Sequence, residues 1–279
     1  MHGPEYKCKC KGTLYGEAHH LTVYSDLHSD AASANHKLIK EHMDRRAALQ
    51  NAHFVGIGDI GNYVMPRDLR RFKASTPRDE LQGIDDYIDK AVDLQIEELG
   101  GYPWRMLGMG NHCQTVLDHH MTNPMGRLCR KLGVQFGGFS GFLQFRFRVR
   151  TSTRKVGNVG NKIIILYHHG AWGGRVIKGF GGARDYARHF EKWTVFVYGH
   201  NHQLNVHHEP MIGIDQHGNI TKRSVYYCNT GTFLESYEHG RTSYGEVRGY
   251  PPVILSAPLI KMVPHKNHKL DVSITTGDV

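Results

Sequence analysis

Five short apolar runs punctuate the chain: residues 21–24 (LTVY), 53–57 (HFVGI), 104–107 (WRML), 163–167 (IIILY) and 194–198 (TVFVY). Most are rich in β-branched or aromatic residues and bounded by glycine or polar residues, which predicts β-strands. The third holds no β-branched residue. Helical spacing predicts helices over residues 32–49, 84–99 and 185–193. In the second of these, Ile84, Ile88, Val92 and Ile96 form a stripe at four-residue steps, the face an amphipathic helix turns to a core. Strands alternating with helices predict an α/β core. Beyond about residue 205, turn signals such as DQHG at 215–218 separate strand-like runs, with Tyr226 and Tyr227 in one of them, and this part reads as mainly β. No linker or repeat divides the chain, so a single domain over 1–279 is expected.

The residues just beyond each run are chemically distinctive. The first run ends in Ser25-Asp26-Leu27-His28 and the second in Gly58-Asp59-Ile60-Gly61-Asn62. The third is followed by Gly110-Asn111-His112, the fourth by His168-His169-Gly170 and the fifth by Gly199-His200-Asn201-His202. Ligand sites of α/β sheets lie beyond the C-terminal ends of the strands. Residues two apart on an extended chain point to one side, so Asp26 and His28 are expected to reach one point together, as are His200 and His202. The glycines before Asp59, Asn111 and His200 permit tight turns and close backbone approach. Imidazole with carboxylate suits zinc, manganese or iron. A carboxylate has two oxygens and can bridge two cations, which at roughly 3.5–4 Å separation clamp the attacking and leaving oxygens of a displacement at phosphorus. Any one of these histidines taken alone reads better as a surface or hydrogen-bonded histidine than as a ligand; the ordered set of five motifs points to a metal site.

Composition sharpens the picture in three respects. The 279 residues carry a formal charge of +9, which favours polyanionic partners. There are 21 histidines, the commonest metal ligand. Five cysteines, an odd count without a paired C-x-x-C pattern, predict free thiols rather than a disulfide framework, and the Cys8-x-Cys10 pair is read as incidental. The start, MHGPEYKCKC, has no apolar leader and no run reaches the length of a membrane span, so a cytoplasmic protein without a membrane partner is expected. The oligomeric state stays open.

The ordered motifs D-x-H, G-D-x-x-N, G-N-H, a histidine after a strand and G-H-x-H, spanning Asp26 to His202, resemble those of the calcineurin-like metallophosphoesterase superfamily. The resemblance implies a four-layer α/β/β/α sandwich of two mixed sheets flanked by helices. It implies two divalent metal ions, with manganese, zinc, iron or nickel as candidates. One would be held by Asp26, His28, Asp59 and His202, the other by Asp59, Asn111, His168 and His200, with Asp59 bridging. A hydroxide between the ions would attack phosphorus, and His112 would sit near the leaving oxygen as proton donor or transition-state stabiliser. Three departures from the pattern stand out. Asn62 with Tyr63-Val64 stands where members related to protein phosphatases carry Asp and then Arg-Gly, so a charged partner for His112 is missing at that position. Cys113 replaces the acidic residue often found after G-N-H and is read as a small buried residue. His168 and His169 compete for one ligand role, and placement directly after the strand favours His168.

The activity this implies is hydrolysis of phosphodiesters, in nucleic acids or nucleotides. The alternatives are a phosphomonoesterase, or a nucleic-acid-binding protein of the same fold with little activity. Charge placement bears on the partner. From His119 to Arg184 there is no Asp or Glu, and the segment 145–150 alternates as Phe145-Arg-Phe-Arg-Val-Arg150, a half-buried strand with Phe145, Phe147 and Val149 inward and arginines outward. This is either a polyanion-binding face, with nucleic acid the leading candidate, or an ordinary solvated face. The basic loop 62–78, carrying Arg67, Arg70, Arg71, Lys73 and Arg78, and the glycine-rich loop 170–182, with Trp172, Arg175 and Lys178, are candidates to shape the entrance. Tyr244 and Tyr250 are expected to pack in the core or at the rim rather than stack on a base.

Overall fold

The computed structural model describes all residues except 1–4, 66–75, 82–85, 150–160, 174–178, 238–243, 248, 267–268 and 278–279, and all their side chains except those of 5–12, 148–149 and 244–245. In chain order the elements are β1 (Glu5–Thr13), β2 (His19–Tyr24), α1 (His36–Ala47), β3 (Ala52–Gly56), α2 (Tyr87–Leu99), β4 (Trp104–Leu107), α3 (Asn111–His120), α4 (Pro124–Leu132), β5 (Gln135–Phe136), β6 (Ser140–Val149), β7 (Lys162–His168), α5 (Phe180–Ala187), β8 (Val195–Tyr198), β9 (Leu204–Ile214), β10 (Ile220–Thr230), the single turn α6 (Tyr244–Val247), β11 (Leu259–Pro264) and β12 (Leu270–Thr275). The strands form two six-stranded mixed sheets, ordered β12-β11-β2-β3-β4-β5 and β1-β6-β7-β8-β10-β9. The expected α/β/β/α layering is present, and period-two alternation is what builds it. Leu21, Val23, Val55, Ile57 and Met106 of the first sheet meet Phe145, Phe147, Ile163, Ile165, Tyr167, Val195 and Val197 of the second in one core between the sheets. The intervening residues face outward: Tyr24, Phe54 and Leu107 pack under helices α1 to α4, and Leu166, Phe196 and Tyr198 pack under α5.

All five expected strands form, including the four-residue β4, whose neighbours β3 and β5 hold it in the sheet interior. The part after residue 205 is mainly β, with β9 and β10 forming a long hairpin. The helices differ in detail. The buried face of α2 is Ala91, Val92, Gln95 and Leu99, with Ile88 and Ile96 at its margin; Ile84 lies outside the described residues. Gln95 is buried because its side-chain oxygen accepts a hydrogen bond from the Tyr63 hydroxyl. The helix expected over 185–193 is instead α5, which starts after Gly179, itself left-handed at φ 84°, and ends at Ala187. It begins earlier because Ala183 and Ala187 are its buried positions, and Gly182 lets the Trp172 ring lie against the helix where a Cβ would not fit. The sequence reading also missed β1, α3 and α4. For α4 a signal was present: Asn123 caps the helix by accepting from the Gly126 amide at 2.8 Å, Pro124 opens it, and Gly133 closes it in the left-handed region.

Cys113, Cys129 and Cys228 are buried free thiols, as the sequence led us to expect. Among the described residues no helix is long and apolar enough to cross a membrane.

Candidate metal centre

The C-terminal ends of β2, β3 and β4 in one sheet and of β7 and β8 in the other open onto the same rim. There the chain makes sharp turns. Asp26, His28, Asp59, His200 and His202 all have positive φ, between 46° and 74°. Left-handed backbone at a non-glycine costs about 1–3 kcal/mol per residue and persists where surrounding structure holds it. Turning past the strand ends, rather than alternation along an extended chain, is therefore what aims these side chains. Asp26 and His28 do converge, with Oδ1 and Nε2 3.9 Å apart. His200 and His202 do not share one point, and each serves a different cluster.

The first cluster is Asp26, His28 and His202, with His202 Nε2 3.5 Å from Asp26 Oδ1. The second is Asp59, His169 and His200. His169 Nε2 lies 3.0 Å from Asp59 Oδ2 and 3.0 Å from Asn111 Oδ1, and His200 Nδ1 lies 2.8 Å from the same Asn111 oxygen. His28 and Asp59 also group with His112, so the two clusters are contiguous. Backbone approach is close throughout. A Cβ on Gly58 would strike the His169 ring, one on Gly110 would strike the Asp59 carboxylate, and one on Gly199 would come within 2.6 Å of Asp26 Oδ2. The glycines before Asp59, Asn111 and His200 are thus required where the sequence placed them.

His168 is the correction. Its side chain is not in the cluster: Nδ1 accepts the Gly170 amide at 2.8 Å, and the ring packs on Phe139, Trp172 and Tyr186. The reason is strand parity. Ile163, Ile165 and Tyr167 face the inter-sheet core, so His168, still within β7, faces the α5 layer. His169 is the residue aimed at the rim, and it is fully buried.

The electrostatics fit a cation site. Asp26 and Asp59 are buried, and among the described residues their ion-pairing partners within 4.0 Å are histidines only. Burial pushes the Asp26 carboxyl up, but His202 and His169 outweigh it and hold it at about 2. Burial likewise opposes ionisation of Asp59, and His169 and His112 overcome it, leaving Asp59 well below the usual carboxylate range. His169 moves the other way: burial would lower it, yet the Asp59 carboxylate raises it. Burial and the neighbouring His112 depress His28 to about 3, so its imidazole is neutral, with one ring nitrogen offering a lone pair. Both ring nitrogens of His28, and Asp26 Oδ1, are buried without a hydrogen-bond partner. Buried polar atoms without a partner also occur elsewhere among the described residues, at Tyr198 and Asn229 for example, so it is their convergence with the carboxylates that marks this rim. Imidazoles, two buried carboxylates held in the ionised form and buried polar atoms without a protein partner converge at one rim, the donor set a divalent cation takes.

His112 stands beside this centre. Its Nε2 is 4.0 Å from Asp59 Oδ2, its backbone N–H donates to Asp59 Oδ1 at 3.1 Å, and its Nδ1 is 2.6 Å from the backbone carbonyl of Asn62. A carbonyl only accepts, so Nδ1 carries the proton there. The partner is the Asn62 main chain rather than its side chain. Cys113 is fully buried; burial, together with Asp59 and Asp30, pushes its thiol up, so it remains protonated. Asp30, buried two residues past His28, contributes to this region and was not singled out from sequence, where nothing marks it.

The described part of the basic stretch can be placed relative to the centre. Phe145 and Phe147 face the core and Arg146 faces solvent, as alternation predicted. Ser140 pairs with His168 and Arg146 with Lys162, which puts Arg146 some six residues along the sheet from the centre, ~20 Å away. Acidic residues from elsewhere also neutralise part of the charge: Asp89 pairs with Arg127, Asp93 with Lys131 at 2.6 Å and Glu209 with Arg184 at 2.8 Å. Arg67, Arg70, Arg71, Lys73, Arg150, Arg154, Lys155, Arg175 and Lys178 lie outside the described residues, as do the side chains of Arg148 and Tyr244.

No protein-family model matches the sequence, and no curated protein does. Among solved structures, a single-site variant of Vps29 from Entamoeba histolytica is similar at 11% identity and TM-score 0.37, over 93% of this chain and 99% of that one. The calcineurin-like phosphoesterase YfkN from Bacillus subtilis is similar at 11% identity and TM-score 0.38, over 93% and 91%. The nuclease MPE from Pseudomonas putida is similar at 11% identity and TM-score 0.34, over 91% and 87%. At such identities and scores the activities of these proteins do not carry over to this chain. What the chain itself shows is an α/β fold of two six-stranded mixed sheets flanked by helices, with most of the motif residues gathered at one rim, the arrangement that the resemblance implies.

Proposed function

We propose that this protein is a binuclear metal-dependent phosphoesterase that hydrolyses phosphodiester bonds. The observation that carries the reading is the pair of clusters made contiguous by the His28–Asp59–His112 group, with Asp26 Oδ1 and both His28 ring nitrogens buried without a hydrogen-bond partner. Asp26, His28, Asp59 and His202 would hold one cation; Asp59, Asn111, His169 and His200 would hold the other. When bound, the cations supply Lewis acidity at the phosphoryl oxygens and an acidified water as nucleophile. The chain's own residues do the rest. His112, with Nδ1 committed to Asn62, presents Nε2 toward the shared carboxylate; in its imidazolium form, with a second proton on Nε2, it can stabilise or protonate the departing oxygen and is left neutral. The burial of Asp26 and Asp59 keeps bulk water from screening the charges. A diester is favoured because Tyr63 is buried where phosphatase-related members place an arginine, so that position offers no guanidinium fork for the extra charge of a monoester.

The test is hydrolysis of a chromogenic diester and the matching monoester by stripped protein reconstituted with manganese, zinc, iron(II) or nickel. Diester turnover that needs metal supports the reading and leads to DNA, RNA and nucleotide substrates. Monoester preference would reassign the substrate class. Metal-independent nucleic-acid binding without turnover with any substrate would contradict an enzymatic role.

A further inference from the structure

We propose that Asp30 is a positioning residue for His112, acting through the peptide bond between Asn62 and Tyr63. This rests on the catalytic role of His112 proposed above. Asp30 is 1% exposed. Its carboxylate accepts the Asn62 amide on Oδ1, and on Oδ2 it accepts the Tyr63 amide at 2.8 Å and the Tyr87 hydroxyl at 2.6 Å. The Tyr63 N–H and the Asn62 carbonyl belong to one peptide unit. That carbonyl is the group 2.6 Å from His112 Nδ1. In a trans peptide the N–H and C=O point in opposite directions across a rigid plane. Asp30 therefore grips one end of the plane and His112 is held by the other.

The arrangement has two consequences. Geometrically, the turn is under strain, with Tyr63 at φ 45°, and Asp30 together with the Tyr63–Gln95 contact holds it. Electrostatically, an anion at the N–H end polarises the peptide and strengthens its carbonyl as an acceptor. The carboxylate that the motif lacks at position 62 is thus supplied from position 30, one peptide removed from the imidazole. Tyr87, at the start of α2, anchors the far side of the carboxylate.

The experiment is a double-variant cycle. Asp30→Asn keeps the shape but leaves one of the amide donors facing an NH₂. Turnover is expected to fall about 10-fold or more, with KM and bound metal unchanged, as for loss of an orienting partner. The loss should be larger for alkyl than for nitrophenyl leaving groups, which need less proton donation. In a His112→Ala background Asp30→Asn should cost nothing further. Tyr87→Phe, which removes only the outer donor, should show a smaller loss that also vanishes in that background, and it decides the matter if Asp30→Asn does not fold. In the metal-free protein, ¹⁵N spectra should place the His112 proton on Nδ1 and show that preference weakened by Asp30→Asn. Equal losses with and without His112, loss of bound metal, or an unchanged tautomer would overturn the proposal. If His112→Ala itself leaves turnover intact, the catalytic role of His112 fails, while the ¹⁵N result still decides the hydrogen-bond relay.

Discussion

His169 Nε2 lies 3.0 Å from Asp59 Oδ2, while the adjacent His168 turns its Nδ1 away to the Gly170 amide. Two neighbouring histidines thus have opposite fates, set by which face of the second sheet each leaves. His169→Ala is expected to weaken metal binding by more than about 100-fold, beyond the range for a residue that only supports a ligand, and to remove turnover. His168→Ala should keep both within a few-fold of the parent protein, because it loses only packing on Trp172 and Tyr186. Metal titration by calorimetry separates the two.

His112 touches Asp59 through its backbone and approaches it through Nε2 at 4.0 Å. As a proton donor it should not be needed for metal binding. His112→Ala is expected to lower kcat about 10²–10⁴-fold at unchanged metal content. Elemental analysis alongside kinetics checks this; metal loss equal to that of Asp59→Ala would place His112 among the ligands with His28 and Asp59.

Gly58 has φ 132°, and a Cβ there would meet the His169 ring and come within 2.9 Å of the Gly110 Cα. Gly58→Ala combines backbone strain with a clash against main chain, which cannot swing aside. A loss of at least about 1–3 kcal/mol is expected, visible in denaturant unfolding. Gly218, also at positive φ in the β9–β10 turn but with open space around a Cβ, supplies the comparison: its alanine variant should carry the strain alone and leave metal binding untouched.

At the opposite end of β2 and β3, the His19 and His53 rings lie parallel between the sheets with centroids 5.5 Å apart, His19 Nδ1 3.2 Å from His53 Nε2 and Arg105 donating to His53 Nδ1 at 3.0 Å. Burial, then the Arg105 charge, depress His53 to about 3 from 6.5. The unfolded chain binds a proton below about 6.5 that the folded chain refuses until about 3, so stability rises with pH across this window. Unfolding of metal-free protein should therefore become easier as pH falls from 7 to 5. His53→Gln should flatten that slope, provided its own stability is compared across the same pH range.

Much of the site was legible in sequence because its signals are local: a residue type at a strand end and a glycine beside it. The fold followed from the same runs, since each apolar run was the right length for a strand. His169 was not legible, because residues 163–167 are apolar on both faces and hydrophobicity alone does not say which parity points inward. The partial neutralisation of the basic stretch was hidden for a different reason: Asp89, Asp93 and Glu209 reach Arg127, Lys131 and Arg184 from distant parts of the chain. Asp30 was hidden because its role depends on a left-handed turn at residue 63, for which tyrosine is an unfavourable choice.

The most direct measurement titrates manganese into stripped protein and follows bound metal and hydrolysis of bis(p-nitrophenyl) phosphate in the same samples, for the parent chain and Asp59→Ala. A site joined through Asp59 predicts two equivalents bound, turnover that rises with metal loading, and loss of turnover in the variant. Turnover that persists in Asp59→Ala, or full activity in the stripped protein, would contradict a catalytic centre built on that carboxylate.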